Sequence, residues 1–196
     1  MTRAHVEVRD ATPDDLPDLL AMWTELRSLA PRSERAFPDP SPEGVLARLA
    51  QAQADPSVRV VVATLPGDGG PEVAGFAVLT AQPYAALFDA GAAHLHYLHV
   101  RPERRRRGVG RALVATAASF AEERGAEHVL TSVSPSLREA NRFYARLGFG
   151  PVVVRRAVSV TALRRRLAGD ARTPGLEEVL QRRRSLRVRR AAVLAD

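Results

Sequence analysis

The sequence predicts a single α/β domain whose elements follow the order β-α-α-β-β-β-α-β-α-β-β. Short runs rich in valine and leucine alternate with segments whose apolar residues recur every three or four positions, as in strands and amphipathic helices. Turns rich in glycine and proline separate these segments. A length of 196 residues with 45% hydrophobic content is enough for one sizeable core.

The N-terminal part begins with a short alternating strand at residues 6–8. Thr12 and Pro13 then supply an N-cap and a proline at the first helical position. A proline-rich segment over 30–42 separates this helix from a second one around 43–53. The apolar residues of the first helix share one face: Leu16, Leu19, Leu20, Trp23 and Leu26.

The middle of the chain predicts two strands, at 58–65 and 72–80, joined by a glycine-rich hairpin turn at 66–70. A longer loop at 82–92 is expected to lead to a fourth strand at 94–100.

The last part predicts two further helices and three strands. A helix over 109–124 ends at a glycine, and a strand follows at 128–133. A helix over 135–147 also ends at a glycine, and the valine-rich segments 152–154 and 158–163 are expected to form a terminal β-hairpin.

The composition excludes several kinds of site. The chain has no cysteine, so disulfides, thiolate metal sites and a cysteine nucleophile are excluded, which is compatible with a reducing cytoplasm. The N-terminus lacks the apolar core of a signal peptide, and no apolar run approaches the roughly 20 residues that a membrane span requires. We therefore expect a cytoplasmic protein without a membrane partner.

The formal net charge of +7 comes from the C-terminus, where residues 155–196 contain twelve arginines and four acidic residues. All 29 basic residues are arginine, a bias that a GC-rich genome explains more simply than selection for phosphate binding. A nucleic-acid partner is therefore not expected. We predict a domain over 1–168 and a basic extension over 169–196, which is either a short helix or a mobile tail.

A basic turn at 104–107, followed by Gly108 and Gly110, connects the fourth strand with the next helix. The first turn of a helix has N–H groups without intrahelical acceptors and a partial positive charge, which together favour an anion. Glycine has no Cβ, so the main chain can approach a phosphate closely. The turn predicts a phosphorylated ligand, although a solvated basic loop fits this pattern equally well when it is taken alone.

Three histidines, His94, His96 and His99, lie in or next to the fourth strand. His94 and His96 share one face by the period of two, and histidine titrates in the range that suits a general base. Strand histidines satisfied by ordinary hydrogen bonds fit the sequence equally well. No metal ligand is assigned, because no supporting residues accompany the three.

Two motifs resemble those of the GNAT superfamily of acyl-CoA-dependent N-acetyltransferases. Arg105-Arg106-Arg107-Gly108-Val109-Gly110 is similar to the family's R/Q-x-x-G-x-G/A loop, and Phe143-Tyr144 with Gly148-Phe149 is similar to its F/L-Y-x-x-x-G-F signature. Gly110 and Tyr144 lie 34 residues apart, and the order of elements over 5–165 also matches. The resemblance implies a mixed central sheet of about six or seven strands with about four helices, splayed by a bulge between strands four and five.

The resemblance also implies acetyl-CoA as cosubstrate, no metal, and roles for individual residues. Tyr144 is the expected proton donor to the departing thiolate. His96, or as second choice His94, takes the place of the family's strand-four glutamate as general base, and an ordered water is the alternative acceptor of the amine proton. Many members carry asparagine at the position of Leu137, and Asn141 is expected to compensate. The implied cofactor-binding residues are Leu98, His99, Val100, Arg105, Arg106, Arg107, Gly108, Val109, Gly110, Arg111, Asn141 and Tyr144.

We therefore predict an N-acetyltransferase that moves the acetyl group of acetyl-CoA to a primary amine of a small molecule or protein, by direct attack in a ternary complex. Two alternatives stay open: a non-catalytic acyl-CoA-binding regulatory module, and a ribosome- or nucleic-acid-associated protein that uses the basic C-terminus. No motif identifies the acceptor. Arg32, Arg35 and Asp39 are candidates to meet a charged acceptor, and the sequence leaves a homodimer open.

Overall fold

The computed structural model describes residues 5–29, 39–85, 88–153 and 158–170. The strands within these ranges are β1 (Glu7–Asp10), β2 (Val58–Gly67), β3 (Gly70–Ala85), β4 (Phe88–Val100) and β5 (His128–Thr131). The helices are α1 (Leu16–Leu29), α2 (Pro42–Ala54), α3 (Val109–Glu122), α4 (Arg138–Arg146) and α5 (Val160–Asp170). The chain divides into two units, Met1–Phe149, which contains the whole sheet, and Gly150–Asp196, which contains α5.

The five strands form one mixed sheet in the order β1-β2-β3-β4-β5. The first four strands pair antiparallel with their neighbours, and β5 pairs parallel with β4 after the crossover through α3. The predicted α/β class and mixed sheet are therefore confirmed, whereas the described residues hold five strands instead of six or seven.

The predicted terminal hairpin is wrong in its second strand, because residues 160–163 begin helix α5. Val158 and Val160 suggested a strand, but the segment continues into a run of alanine, leucine and arginine, which are good helix formers. Val152 and Val153 are not in a strand either, and residues 154–157 and 171–196 lie outside the described residues.

The predicted loop at 82–92 is also wrong, because β3 and β4 continue through most of it as a long hairpin. Gln82 pairs with Ala92 and Pro83 with Gly91, and the register shifts between Pro83 and Ala85. A proline and a glycine locally favour a turn, and the pairing with the neighbouring strand overrides that preference.

The start of α1 is fixed by an ion pair between a buried carboxylate and a partly exposed arginine, which the sequence analysis did not predict. Asp15, only 4% exposed, accepts from both Arg9 guanidinium nitrogens at 2.7 and 2.8 Å and from the Thr12 main-chain N–H at 2.8 Å. Burial alone would raise the pKa of Asp15, but these hydrogen bonds outweigh it, and the pKa lies below its usual value. The carboxylate therefore stabilises the connection from β1 to α1.

Apolar side chains cover both faces of the sheet. On one face, alternate strand residues such as Val61 and Leu79 pack with Leu113 and Phe120 of α3. The opposite face packs against α1 and α2, through residues that include Val60, Val62, Phe76, Met22 and Leu49. Because successive side chains of a strand point to opposite faces of the sheet, neighbouring strand residues belong to different cores.

A bulge in β4 changes which residues face each core. Phe76 pairs with His99 but Val78 pairs with His96, so β4 contains one more residue than β3 between these pairs. Tyr97 has a positive φ of 52°, as the extra residue of a bulge can have. Leu98 consequently packs on the α3 side, and His99 packs against Phe76 on the α1 side.

The bulge also marks the place where β4 and β5 separate. β5 pairs with β4 only from Ala92 to Leu95, opposite His128 to Thr131. Beyond Leu95 the edge of β4 that faces β5 has no strand partner in the described part of the chain. An extended ligand can therefore reach main-chain groups there.

Candidate active site

A groove of about 1690 Å³ crosses the first unit where β4 and β5 separate. One end, called here the basic end, is lined by residues of 98–111 and 131–146. The other, called the apolar end, is lined by residues of α1, α2, β2 and β3, together with Asp39 and Pro40. His96 and Tyr97 also line the groove.

The start of α3 offers main-chain donors to the basic end. Gly108 is the N-cap of α3 with φ of 92°, and no side chain caps this end of the helix. The first hydrogen bond of α3 is donated by the Ala112 N–H to the Gly108 main-chain oxygen. The N–H groups of residues 109–111 therefore have no intrahelical acceptor. Because Gly108 through Arg111 line the groove, this geometry fits an anionic ligand.

Gly110 has a packing role that the sequence analysis missed. A Cβ at this position would lie 3.3 Å from Cζ of Phe143, on α4, and 3.7 Å from Cγ2 of Val100. Gly110 therefore lets α4 pack closely against the first turn of α3. Its conformation is helical, and only Gly108 of the two requires a left-handed backbone.

The arginines of the turn differ in their surroundings. Arg104 binds Glu72, whereas Arg105 donates to the Val100 oxygen at 3.4 Å and to Glu139 at 3.3 Å. Arg106 and Arg111 are exposed and line the basic end, and Arg107 is exposed but does not line it.

Helix α4 adds three arginines to the basic end that the sequence analysis did not select. Arg138, Arg142 and Arg146 all line the groove. They are four residues apart and therefore lie on one face of α4, a spacing that could have been recognised in the sequence. Among the described lining residues, the basic end thus has six arginines and one acid, Glu139.

Tyr144 is buried beside the basic end. Its side chain is 7% exposed, and its ring makes edge contacts with Phe143 and Phe149, at 5.2 Å between centroids in both cases. Burial raises the pKa of Tyr144, and a hydrogen bond with Thr131 opposes this effect in part. The phenol is therefore a protonated donor at neutral pH, and it lines the groove.

Asn141 stabilises the segment before α4. Its side-chain nitrogen donates to the main-chain oxygens of Ser134 at 2.8 Å and of Leu137 at 2.9 Å. Leu137 lines the groove but Asn141 does not. The amide N–H groups of Asn141 are therefore used within the protein.

His94 and His96 stack on each other, with ring centroids 5.7 Å apart and ring planes 8° from parallel. Nε2 of His96 lies 3.0 Å from the Thr80 hydroxyl oxygen, a contact within hydrogen-bond distance. His96 lines the groove, and His94 does not. The predicted shared face is thus observed, and of the two only His96 can reach a ligand in the groove.

His99 is paired with a carboxylate from α1. Its side chain is 3% exposed, and Nε2 lies 2.9 Å from Glu25 Oε2. Because a carboxylate only accepts, Nε2 carries the hydrogen. Burial lowers the pKa of His99, whereas the hydrogen bond with Glu25 opposes that shift, so the ring is neutral at pH 7.

Glu25 belongs to an ionic network that connects α1 with the end of β4. Nη2 of Arg101 lies 2.6 Å from Asp18 Oδ1, and Nη1 of Arg101 lies 3.8 Å from Glu25 Oε1. Glu25 and His99 are 74 residues apart in the chain, and no sequence motif relates them. Pattern analysis therefore could not find this pair.

An aromatic pair, Trp23 and Tyr97, lines the groove at its apolar end. The rings of Trp23 and Tyr97 meet edge to face, with centroids 4.9 Å apart. Trp23 Nε1 donates to Asp39 Oδ1 at 3.3 Å, and the same oxygen lies 3.0 Å from Arg27 Nε. Asp39 is thus engaged within the protein, and Arg32 and Arg35 lie outside the described residues.

The described ranges contain neither a metal-binding cluster nor a membrane-spanning helix. No group of three or more His, Cys, Asp or Glu residues there is arranged to hold a metal ion. None of the helices found there combines the length and the apolar character needed to cross a membrane.

Comparison with known proteins gives a family and a fold. The sequence profile of the acetyltransferase (GNAT) family matches residues 22–149. A transcriptional regulator from Bacillus halodurans C-125 is 24% identical, with 79% of this chain and 99% of that chain covered, at a TM-score of 0.64. A Trypanosoma brucei acetyltransferase is 21% identical, with 80% of this chain and 100% of that chain covered, at a TM-score of 0.59.

A third solved structure is the aminoglycoside N-acetyltransferase AAC(6')-Iy in complex with CoA. It is 20% identical, with 80% of this chain and 97% of that chain covered, at a TM-score of 0.60. Likenesses at these identities establish the shared fold. The search of curated proteins found no match to the chain.

Proposed function

The chain belongs to the acetyltransferase (GNAT) family and is an acetyl-CoA-dependent N-acetyltransferase, and we propose that it acetylates a primary amine by direct attack in a ternary complex. One observation carries the proposal: a single groove joins the uncapped start of α3, the buried Tyr144 and His96. These groups offer an anion site, a protonated acid and a titratable base.

The basic end has the groups that acetyl-CoA needs. We assign the pyrophosphate to the N–H groups at the start of α3, with Arg105, Arg106 and Arg111 supplying positive charge. The edge of β4 at residues 98–100 is the expected partner of pantetheine, because it has no strand neighbour in the described part of the chain. When bound, acetyl-CoA supplies the reactive acetyl thioester.

His96 and Tyr144 are proposed to move the two protons. His96 takes the proton that the amine loses as its nitrogen bonds to the acetyl carbon, and Tyr144 gives a proton to the sulfur as the carbon–sulfur bond breaks. A main-chain N–H of β4 after Leu95 donates to the thioester carbonyl oxygen. Holding the amine next to the thioester supplies much of the acceleration.

Asn141 is given a positioning role in this proposal, and Arg107 and His94 are given no ligand contact. Asn141 positions Leu137 and the segment before α4 through its two main-chain hydrogen bonds. Arg107 and His94 do not line the groove, so we assign neither of them a direct contact with the ligand.

The test is a screen of amines with acetyl-CoA in which the released thiol is measured. We expect thiol release with at least one primary amine, and acetylated product in equal amount. Tyr144→Phe is expected to lower kcat by roughly 10²–10⁴-fold while CoA still raises the Tm. Full turnover by Tyr144→Phe would remove the proton-donor assignment.

The same screen separates this function from a non-catalytic CoA-binding module. For that alternative, CoA would raise the Tm and no amine would release thiol. The nucleic-acid alternative depends on residues 171–196, which lie outside the described residues.

A further inference from the structure

We propose that the acceptor is a primary amine carried on an apolar body, that Trp23 and Tyr97 bind this body, and that polycationic amines are poor acceptors. The inference rests on the proposed function of the groove and specifies its substrate class. Three properties of the groove carry it: the wall of the apolar end, the aromatic pair, and the balance of charges.

The wall of the apolar end is formed mainly by aliphatic and aromatic side chains. Leu26 of α1, Val45 of α2 and Val78 of β3 are only partly buried there. They pack against the core that contains the buried residues Leu19, Leu49, Val60 and Phe76. An apolar body that displaces water from the partly exposed side chains is favoured by the hydrophobic effect.

Tyr97 is displayed at this end in an unusual backbone conformation. Its φ is 52°, which is unfavourable for a bulky residue, and its side chain is 53% exposed beside Trp23. The hydrogen bond to Asp39 holds the indole of Trp23. An exposed ring on a strained residue that lines the groove suggests a ligand contact.

The aromatic pair adjoins the proposed base. The ring centroids of Tyr97 and His96 are 6.0 Å apart. An acceptor whose apolar body lies against Tyr97 therefore presents its amine to the part of the groove that His96 lines. The body and the amine would thus be recognised by adjacent groups.

The charges of the groove oppose a polycationic acceptor. At the apolar end, where the acceptor is proposed to bind, the described lining residues include Arg27, Arg48 and one acid, Asp39, which is already paired with Arg27. An acceptor with several ammonium groups meets like charge and no unpaired carboxylate among these residues.

Arg48 extends this argument to acceptors that carry a carboxylate. Its guanidinium donates to the neutral Gln51 amide at 2.7 Å and has no acid within ion-pair distance in the described part of the chain. Arg48 lines the apolar end. A carboxylate on the acceptor is therefore tolerated, unlike a second ammonium group.

The experiment compares kcat/KM for 2-phenylethylamine, phenylalanine, spermidine and kanamycin by thiol release at fixed ionic strength. We expect 2-phenylethylamine and phenylalanine to exceed both polycations by at least about ten-fold. Tyr97→Ala should raise KM for 2-phenylethylamine by about ten-fold with little change in kcat, since a lost aromatic contact has this magnitude. Tyr97→Phe, which keeps the ring, should restore most of the KM effect that Tyr97→Ala loses.

A control variant is available on α2. Leu46 is an exposed apolar residue that does not line the groove, so Leu46→Ala should leave every KM unchanged. Equal or better kcat/KM with spermidine or kanamycin overturns the inference while leaving acetyl transfer intact. An unchanged KM in Tyr97→Ala overturns the role of the aromatic pair.

Calorimetry with CoA present separates failure of the inference from failure of the function. Binding of 2-phenylethylamine without thiol release supports the acceptor site and overturns catalysis. Absence of both binding and thiol release for 2-phenylethylamine and phenylalanine overturns the proposed acceptor class, whichever other amines react.

Discussion

Gly75 lies on β3 opposite Val100, where a side chain would collide with the main chain of β4. A Cβ at position 75 would be 2.6 Å from the His99 carbonyl oxygen and 3.0 Å from Val109 Cγ1. A main-chain oxygen cannot rotate away as a flexible side chain can. In Gly75→Ala the two strands must therefore separate by roughly 0.4 Å to reach even 3.0 Å.

The expected effect on stability follows from this overlap. Overpacking of this kind typically costs about 1–3 kcal/mol. For a domain of this size each kcal/mol lowers the Tm by about 2–4 °C, so Gly75→Ala should lower the Tm by about 2–12 °C. Because His99 belongs to the strand edge assigned to pantetheine, the Kd for CoA should also rise.

Thermal denaturation followed by circular dichroism, with and without CoA, measures both effects. Gly69, in the turn between β2 and β3, provides the matched control, because a Cβ there has no atom within 4 Å. Gly69→Ala should keep the wild-type Tm or raise it slightly, since alanine reduces the entropy of the unfolded chain. If the two variants melt at the same temperature, the steric reasoning is refuted.

Three further outcomes are expected. His96→Gln should remove the acid limb from the pH profile of kcat/KM, whereas His128→Gln, at an exposed position outside the groove, should keep it; a retained limb in His96→Gln excludes His96 as the base. Asp15→Asn should lower the free energy of unfolding by about 1.5–3 kcal/mol at pH 7. Because folding lowers the pKa of Asp15, its stabilisation is present above the unfolded pKa and lost as the pH falls through the folded pKa. Urea denaturation from pH 7 down to about pH 2 should therefore show the wild type and this variant converging in acid. Glu25→Gln should lower the pKa of His99 further, since the carboxylate opposes the effect of burial; a histidine NMR titration with no such decrease contradicts this account.

The local motifs were the part of the sequence that identified the family. The family resemblance rested on the glycine turn and on Tyr144 with its flanking residues, and the family match over 22–149 confirms it. Both motifs consist of neighbouring residues whose conformation depends on a turn or one helix. The spacing of Arg138, Arg142 and Arg146 was equally available in the sequence and was overlooked.

The errors arose where distant contacts outweighed local preference. The proline and glycine within 82–92 favoured a loop, but strand pairing continued β3 and β4 through most of that segment. Asn141 is a different case, because its side-chain nitrogen donates to the main-chain oxygens of Ser134 and Leu137, which are nearby in the sequence. A residue's polarity predicts that it will find a partner and does not specify which one.

The sequence by itself determined the family, the order of the main elements and the glycine turn that begins α3, because short-range geometry encodes these features. Only the tertiary structure decided the composition of the groove. The bulge at Tyr97 shifts the alternation of β4, so that His99 faces α1 and meets Glu25, while Leu98 faces α3. One extra residue in a strand reverses every face assignment beyond it, and neither a period of two nor a motif reveals where that residue is inserted.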